Sequence, residues 1–375
     1  MAGLYIHIPF CKQACSYCNF HFSTRLNGVD PMVEALTQEI RLRHSFLDQS
    51  PLESIYFGGG TPSVLTDRQL LKILNTIDQY FEVSEQAEIT LEANPDDLTT
   101  EKLAALRDSP VNRLSIGIQS FRDQDLQLMN RVHSARQAHL CIESARKANF
   151  ENLTIDLIYG IPDLSEQAWK NNLDFVRHYS IKHFSSYALT VEPKTLLAHQ
   201  IATRKISAVT DERMAGHFRL LIEFAREHNF LHYEISNFAK RGFTAIHNSN
   251  YWRQKKYLGI GPSAHSFNRD SRSWNISNNA KYLKAISENN LPLTVEELTA
   301  EQKYNEYVMT GLRTMWGCDR HYIRNLDVSF WEYFRKEIEI FLKREWIRED
   351  LGIFTLTDEG KLFADHIASE LFLVE

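Results

Sequence analysis

Short apolar, β-branched runs alternate with amphipathic helical stretches from the N-terminus to about residue 190. This alternation is typical of βα units on a parallel sheet. The predicted strands are Leu4–Pro9, Ser54–Phe57, Glu88–Ala93, Arg113–Gln119, Asn152–Leu157 and His183–Thr190. The predicted helices, with apolar residues at three- and four-residue spacing, are Pro31–Gln49, Asp67–Phe81, Thr99–Arg107, Ala135–Asn149 and Ser165–His178. Six such strands predict an α/β fold, a partial (βα)6 barrel.

The loops that follow these predicted strands carry most of the unusual residues. They are Cys11 to Cys18, Gly58-Gly59-Gly60-Thr61-Pro62, Glu92-Ala93-Asn94-Pro95, Gln119-Ser120-Phe121 and Asp156-Leu157-Ile158-Tyr159-Gly160. In parallel βα architectures the loops at the carboxyl ends of the strands gather at one face and hold the chemistry. We therefore expect one site at that face.

The pattern changes after about residue 200. A helix is predicted at Asp211–His228, then a region of strand and turn through Ser236-Asn237-Phe238 and residues 247–252. From about residue 294 the pattern indicates a smaller α+β domain similar to a winged helix, with a wing around Asp350-Leu351-Gly352. We expect three parts: the barrel at 1–200, an extension at 201–293 and the C-terminal domain at 294–375.

Charge and cysteine usage favour a cytoplasmic protein that does not bind nucleic acid. The formal net charge of −6 argues against the positive field that nonspecific nucleic-acid binding needs. The stretch from Trp331 to Asp365 has no clear positive stripe, so we expect a lid or protein-docking role for the C-terminal domain. Three of the five cysteines fall within eight residues, unlike a secreted disulfide framework. No signal peptide and no run of membrane-spanning length is recognisable.

Cys11, Cys15 and Cys18 place three thiolates on one short loop directly after a strand. Three thiolates on a four-iron cluster leave one iron open. The spacing also admits a zinc site, with His7 or His21 as a further ligand, or a redox pair of two cysteines.

The run Cys11-Lys12-Gln13-Ala14-Cys15-Ser16-Tyr17-Cys18, with an aromatic residue before the third cysteine, resembles the signature of the radical S-adenosylmethionine (SAM) superfamily. The resemblance implies a four-iron four-sulfur cluster whose open iron chelates SAM, and an electron donor that reduces the cluster. An electron from the reduced cluster then cleaves SAM to methionine and a 5′-deoxyadenosyl radical.

The later stretches resemble the oxygen-independent coproporphyrinogen oxidase group of that superfamily. A Gly triplet could be a turn made for geometry alone, and Glu92 or Gln119 could simply cap loops. By the resemblance, these and other residues contact SAM, with Glu92 and Arg131 near its charged end and Asp156 near the ribose. The implied SAM-binding residues are Tyr5, Tyr17, Gly59, Gly60, Thr61, Glu92, Gln119, Arg131 and Asp156.

Three features separate this chain from the oxidases of the group and favour its heme-chaperone branch. The oxidase has a further cysteine where this chain has Phe20, and it has a long N-terminal extension, whereas ten residues precede Cys11 here. Residues 247–252 match the H-N-x-x-Y-W motif of the chaperones. The alternative function is oxidative decarboxylation of coproporphyrinogen.

His247 is the candidate heme ligand, since a neutral imidazole is a good axial ligand and Tyr251 and Trp252 offer flat apolar faces. The other interpretation is that His247 and Asn248 cap a turn while the two aromatic residues fill the core. We expect a monomer or homodimer that binds heme and transfers it to an acceptor protein, without coproporphyrinogen oxidase activity.

Overall fold

The protein is described by a computed structural model that covers residues 1–374. Six parallel strands in chain order form the centre of a large sheet. They are β1 (Ala2–Ile8), β2 (Leu52–Gly59), β3 (Val83–Ala93), β4 (Arg113–Gln119), β5 (Leu153–Tyr159) and β6 (His183–Ala188). All six lie where the apolar runs predicted them, and the mixed α/β fold with a parallel core is confirmed.

Residues after 200 extend both edges of this sheet to twelve strands. On the β6 side lie two antiparallel strands, β7 (Leu231–Glu234) and β8 (Asn237–Ala239). On the other side β9 (Tyr257–Ile260) pairs parallel with β1. Beyond it lie three antiparallel strands, β10 (His265–Phe267), β11 (Ser271–Asn275) and β12 (Leu293–Glu297).

Most of the helices before the C-terminal domain cover the outer face of the sheet. Several begin at a hydroxyl side chain that accepts a hydrogen bond from the first turn, as Thr66 and Ser134 do in complete capping boxes. The helices are α1 (Val29–Arg43), α2 (Asp67–Tyr80), α3 (Thr100–Arg107), α4 (Asp123–Leu128), α5 (Ala135–Lys147), α6 (Glu166–His178), α7 (Leu196–Ala202), α8 (Asp211–Glu227), α9 (Ile246–Trp252) and α10 (Asn279–Ser287).

The alternation along each central strand separates the core from the inner face. Leu4, Ile6 and Ile8 of β1 are buried in the hydrophobic core. Because successive side chains of a strand point to opposite faces, Gly3, Tyr5 and His7 face inward. Polar side chains therefore line the inside of the partial barrel, where a purely structural core would be apolar.

A separate small C-terminal domain has its own hydrophobic core, which gathers residues from Tyr304 onward. Its antiparallel sheet of β13 (Cys318–Asp319), β14 (Ile347–Asp350) and β15 (Ile353–Leu356) confirms the predicted wing. Its helices are α11 (Ala300–Leu312), α12 (Arg320–Leu326), α13 (Val328–Glu337), α14 (Glu339–Lys343) and α15 (Ala364–Glu370). The division at 200 and 293 stays a prediction.

The region of residues 247–252 differs from the expectation of strand and turn, because Ile246–Trp252 is the helix α9. The first helix also ends earlier than predicted. It passes into a 3-10 turn at His44–Leu47, and Asp48 and Gln49 then have positive φ values of 49° and 56°. Within residues 1–374, no helix is both long and apolar enough to span a membrane.

Candidate functional site

A cavity of about 600 Å³ opens at the carboxyl ends of the central strands. All thirteen residues proposed from the sequence line it: Tyr5, Cys11, Cys15, Tyr17, Cys18, Gly59, Gly60, Thr61, Glu92, Gln119, Arg131, Asp156 and His247. The fold thus brings together residues that are up to 242 positions apart, from Tyr5 to His247. Their roles toward particular ligands remain predictions.

The cysteine loop after β1 is held in place by the segment that follows α4. The backbone N–H of Ser16 donates to the Met129 carbonyl over 3.0 Å, and its hydroxyl donates to the Leu128 carbonyl over 2.9 Å. The side-chain amide of Asn130 donates to the Ala14 carbonyl over 2.7 Å. These bonds fix the loop, so the three thiols have a defined position at the cavity wall.

The three thiols of Cys11, Cys15 and Cys18 are half-buried and form no disulfide. Burial raises the pKa of Cys11 to about 11, against an opposing hydrogen bond from Thr61, and burial also raises the pKa of Cys18. Thiols in such a place are neutral at pH 7 unless a cation displaces their protons, and bound iron does so. The donor set therefore fits an iron–sulfur cluster. In residues 1–374, no three His, Cys, Asp or Glu side chains are grouped so as to hold a single metal ion.

The glycine loop at the end of β2 packs directly against the end of β1. Gly59 has φ of 104°, in the region that favours glycine. A Cβ on Gly60 would lie 2.6 Å from the carbonyl oxygen of Phe10 and 2.7 Å from that of Ile8. These two glycines are required by the close approach of the strands, and they place backbone without side chains in the cavity wall, which Cys11 also lines.

Two carboxyl groups face the cavity from neighbouring parts of the sheet. Glu92 accepts a hydrogen bond from the Tyr56 hydroxyl over 2.7 Å, and Asp156 accepts one from Ser115 over 3.4 Å. Burial raises the pKa of Glu92 to about 7, with a further contribution from the charge of Asp156. Burial likewise raises the pKa of Asp156 to about 6. A cationic ligand would favour the ionised form of both, so the pair suits a ligand that brings positive charge.

Gln119 ends β4 with φ of 64°, a conformation that costs a non-glycine residue free energy. Such backbone strain concentrates at functional sites because the surrounding structure must maintain it. The amide side chain of Gln119 packs against Gly117. A Cβ added to Gly117 would lie only 2.7 Å from the Gln119 Nε2, so the glycine makes room for this side chain.

Helix α9 carries His247, and a carboxylate that is distant in the sequence holds its first turn. Glu88 accepts the backbone N–H groups of Ile246 and His247, each over 3.0 Å. The imidazole Nδ1 lies 2.9 Å from the Ser54 hydroxyl, whereas the buried Nε2 has no hydrogen-bond partner among the described residues. The ring stacks on Tyr56 with centroids 5.0 Å apart. Burial lowers the pKa of His247 to about 3, so the imidazole is neutral at pH 7.

A neutral imidazole with an unpaired nitrogen in a cavity wall is the chemistry that an axial heme ligand requires. The residues present therefore fit the group that the sequence resemblance implies. The same nitrogen is enclosed, since His247 is only 3% exposed. A heme iron could bind this nitrogen only if the side chains around it moved, because the atom is fully buried.

Sequence reasoning missed several residues that position the site, among them Ser54, Tyr56, Glu88, Asn94 and Ser115. Their signal was the two-residue period of polar side chains on otherwise buried strands, as in Ser54 and Tyr56 of β2. Glu88, Thr90 and Glu92 repeat the pattern on β3. The period identifies the inward face, but it does not tell which distant residue each side chain contacts.

Two family models match the chain. The model of the radical SAM superfamily matches residues 5–176, which include the cysteine loop, the glycine loop and strands β2 to β5. The model of the HemN C-terminal domain matches residues 298–363, within the small C-terminal domain.

Similar proteins align along nearly the whole chain. The heme chaperone HemW of Bacillus subtilis is 32% identical over 98% of this chain and 98% of that protein. The heme chaperone HemW of Lactococcus lactis is 31% identical over 98% of this chain and 97% of that protein. The structure of coproporphyrinogen III oxidase (HemN) from Escherichia coli covers 99% of this chain and 90% of that one, with a TM-score of 0.85 and 23% identity.

Proposed function

This chain belongs to the heme chaperone HemW family of the radical SAM superfamily, and from that premise we propose that it binds heme and delivers it to an acceptor protein. Membership of the superfamily implies a four-iron four-sulfur cluster and SAM. When bound, the reduced cluster supplies the electron for reductive cleavage of SAM.

We assign the cluster to Cys11, Cys15 and Cys18. Support comes from their free, half-buried thiols on one fixed loop at the cavity wall. Thr61 and Arg131 each donate a hydrogen bond to one of the sulfurs, over 3.3 Å and 3.4 Å. Hydrogen bonds to cluster sulfurs stabilise their negative charge, so these two residues would tune the reduction potential.

We assign SAM to the remainder of the cavity. Gly59 and Gly60 line the cavity without side chains, so the charged methionyl end of SAM could approach their backbone closely, beside the cysteine loop. Glu92 would pair with a positive charge of the ligand, and Asp156 would accept hydrogen bonds from ribose hydroxyls. Tyr5, Tyr17, Thr61, Gln119 and Arg131 complete the proposed binding residues.

The observation that carries the heme assignment is His247, a neutral imidazole that lines the cavity and whose buried Nε2 has no hydrogen-bond partner among the described residues. Ser54 of β2 forms a hydrogen bond with the other ring nitrogen of this histidine, which fixes the orientation of the ring. Phe20, which stands where the oxidases have a further cysteine, lines the cavity and is 69% exposed. The five free cysteines support a cytoplasmic location.

A paired assay on one anaerobically reconstituted preparation tests this function. Heme is titrated and followed by absorbance, and coproporphyrinogen turnover is measured with SAM and a reductant. We expect stoichiometric heme binding without decarboxylated product. Sustained formation of protoporphyrinogen would identify the chain as an oxidase, and absence of heme binding would refute the chaperone assignment.

A further inference from the structure

A second cavity, of about 510 Å³, lies between the extension of the large sheet and the C-terminal domain. We call it the interdomain cleft. Helix α9 contributes to both cavities, because His247, Asn248 and Tyr251 line the first and Trp252 lines the cleft. The two cavities therefore share one helix but not the same side chains.

Flat aromatic surfaces line the interdomain cleft. The guanidinium carbon of Arg253 lies 5.3 Å from the ring centroid of Trp316, and that of Arg313 lies 5.4 Å from the ring of Trp252. Tyr307 and Tyr322 stack with their centroids 4.0 Å apart. Tyr322 is 42% exposed, and Trp252 and Trp316 are half-buried, so part of each of these side chains is accessible from the cleft. Stacked rings and guanidinium groups favour a planar aromatic ligand.

The lining of the cleft carries three cations, Arg253, Arg269 and Lys303, and two carboxylates, Glu306 and Asp319. Glu306 pairs with Arg272, and Lys303 pairs with Asp270 over 2.7 Å. Asp319 accepts the backbone N–H of His321 over 2.7 Å, as the cap of helix α12. Arg253 and Arg269 are both exposed at the cleft. Two such cations match a ligand that carries two carboxylates.

We propose that the interdomain cleft is a second binding site, which holds a planar tetrapyrrole with two carboxylates, such as heme. The macrocycle stacks on Trp252 and Trp316, and its carboxylates pair with Arg253 and Arg269. The choice of a tetrapyrrole rests on the proposed function, whereas the planar, dianionic character follows from the cleft itself. The barrel cavity would hold the cluster, SAM and the heme on His247, whereas the cleft is a separate opening beside the C-terminal domain, from which an acceptor can take a macrocycle.

The site is tested with metal-free protoporphyrin IX, because stacking and carboxylate pairing do not depend on iron. The full chain, reconstituted with its cluster, is titrated with protoporphyrin IX and with its dimethyl ester, and porphyrin fluorescence is followed. We expect the ester to bind about tenfold more weakly or worse, which corresponds to about 1.4 kcal/mol. This comparison needs no variant.

Variants locate the binding. The double variant Arg253→Gln/Arg269→Gln should weaken protoporphyrin binding about tenfold, equivalent to about 1.4 kcal/mol. Trp316→Leu should weaken it as well. The matched control Arg241→Gln/Arg335→Gln removes two exposed arginines elsewhere and should leave the affinity unchanged.

The outcomes separate the two proposals. Suppose that the wild-type chain binds heme, that the ester binds it as tightly as protoporphyrin IX does, and that both cleft variants bind protoporphyrin IX as tightly as the wild type. The cleft assignment is then wrong and the proposed function stands. If neither heme nor protoporphyrin binds the wild-type chain, the proposed function fails and the tetrapyrrole assignment fails with it.

Discussion

Arg131 donates a hydrogen bond from Nη1 to the Sγ of Cys15 over 3.4 Å. Its other terminal nitrogen donates to Oδ1 of Asn94 over 2.6 Å. Asn94 in turn donates to the Thr61 hydroxyl, which donates to the Sγ of Cys11, each over 3.3 Å. One continuous chain of hydrogen bonds thus joins two of the three proposed cluster ligands across the cavity, and its only formal charge is the guanidinium.

Removing the guanidinium should lower the reduction potential of the cluster. Positive charge and hydrogen bonds near the sulfurs stabilise the reduced, more negative state. We expect Arg131→Met to shift the midpoint downward by on the order of tens of millivolts, since 59 mV is one tenfold change for one electron. Arg131→Lys keeps the charge and should shift it less. A redox titration followed by electron paramagnetic resonance measures both, and equal shifts in the two variants would contradict a role of the charge.

Replacing a proposed cluster ligand should remove the cluster without unfolding the barrel. Cys15→Ala leaves the strands β1 and β2 untouched, because Cys15 lies in the loop that follows β1, outside both strands. We expect loss of most iron and sulfide with an unchanged circular dichroism spectrum. Cys141→Ala, which removes a buried thiol on helix α5, is the matched control and should keep the full iron content. Full iron and sulfide content in the Cys15 variant would refute the ligand assignment.

The affinity for SAM should fall as the pH drops below about 7, the raised pKa of Glu92. Burial favours the neutral carboxyl group, whereas a cationic ligand favours the carboxylate, so ligand binding lowers that pKa and releases a proton. The affinity is therefore greatest above pH 7 and falls by up to about tenfold per pH unit below it.

Two variants isolate the contribution of Glu92 to the pH dependence when SAM affinity is measured by calorimetry from about pH 5.5 to 8.5. Glu92→Gln cannot ionise at that position, so it should bind SAM roughly tenfold more weakly at pH 8 and show a flatter profile. Glu85→Gln changes an exposed residue of the same strand and should follow the wild-type curve. Parallel profiles for the wild type and Glu92→Gln would assign the pH dependence to another group.

Replacing His247 should weaken heme binding and change the heme absorbance spectrum, because the unpaired Nε2 is the proposed axial ligand. His265→Ala is the control, since this imidazole is exposed on β10. Ser54→Ala keeps the imidazole but removes its 2.9 Å partner, so we expect a smaller change in the same direction. An unchanged affinity and spectrum in His247→Ala would refute the ligand role.

The central strands and the composition of the site were predictable because they depend on local patterns. Arg113–Gln119 agrees with the structure at both ends, since its apolar run is bounded by a loop on each side. The site residues were found through the cysteine and glycine motifs and the loops at strand ends. A parallel sheet brings such loops together whatever the details of the helices.

Helix α9 was not predictable, because its stability comes from distant residues. Its sequence includes Asn248, Ser249 and Asn250, which are weak helix formers. Glu88, which caps it, lies 158 positions before Ile246. Ser54, which orients His247, lies 193 positions away. No local sequence pattern indicates such contacts, which is why strand and turn were predicted for the motif.

The glycine loop makes a prediction about stability that does not depend on any ligand. Gly60→Ala would place its Cβ within 2.8 Å of three backbone atoms of Ile8 and Phe10, and backbone can yield only by moving the strand ends. We expect a loss of about 1–3 kcal/mol in the free energy of unfolding, as for overpacking. Gly216→Ala lies inside helix α8, where the new Cβ would be 3.5 Å from the nearest atom, a Glu166 carboxylate oxygen.

Because glycine in a helix costs conformational entropy, Gly216→Ala should stabilise the protein by about 0.5–1 kcal/mol. Chemical denaturation of the two variants beside the wild type measures both changes, and their opposite signs are the result we expect. If Gly60→Ala were as stable as Gly216→Ala, the end of β2 would not be held against β1 as described. The fixed position of the glycine loop beside Cys11 would then lose its structural basis.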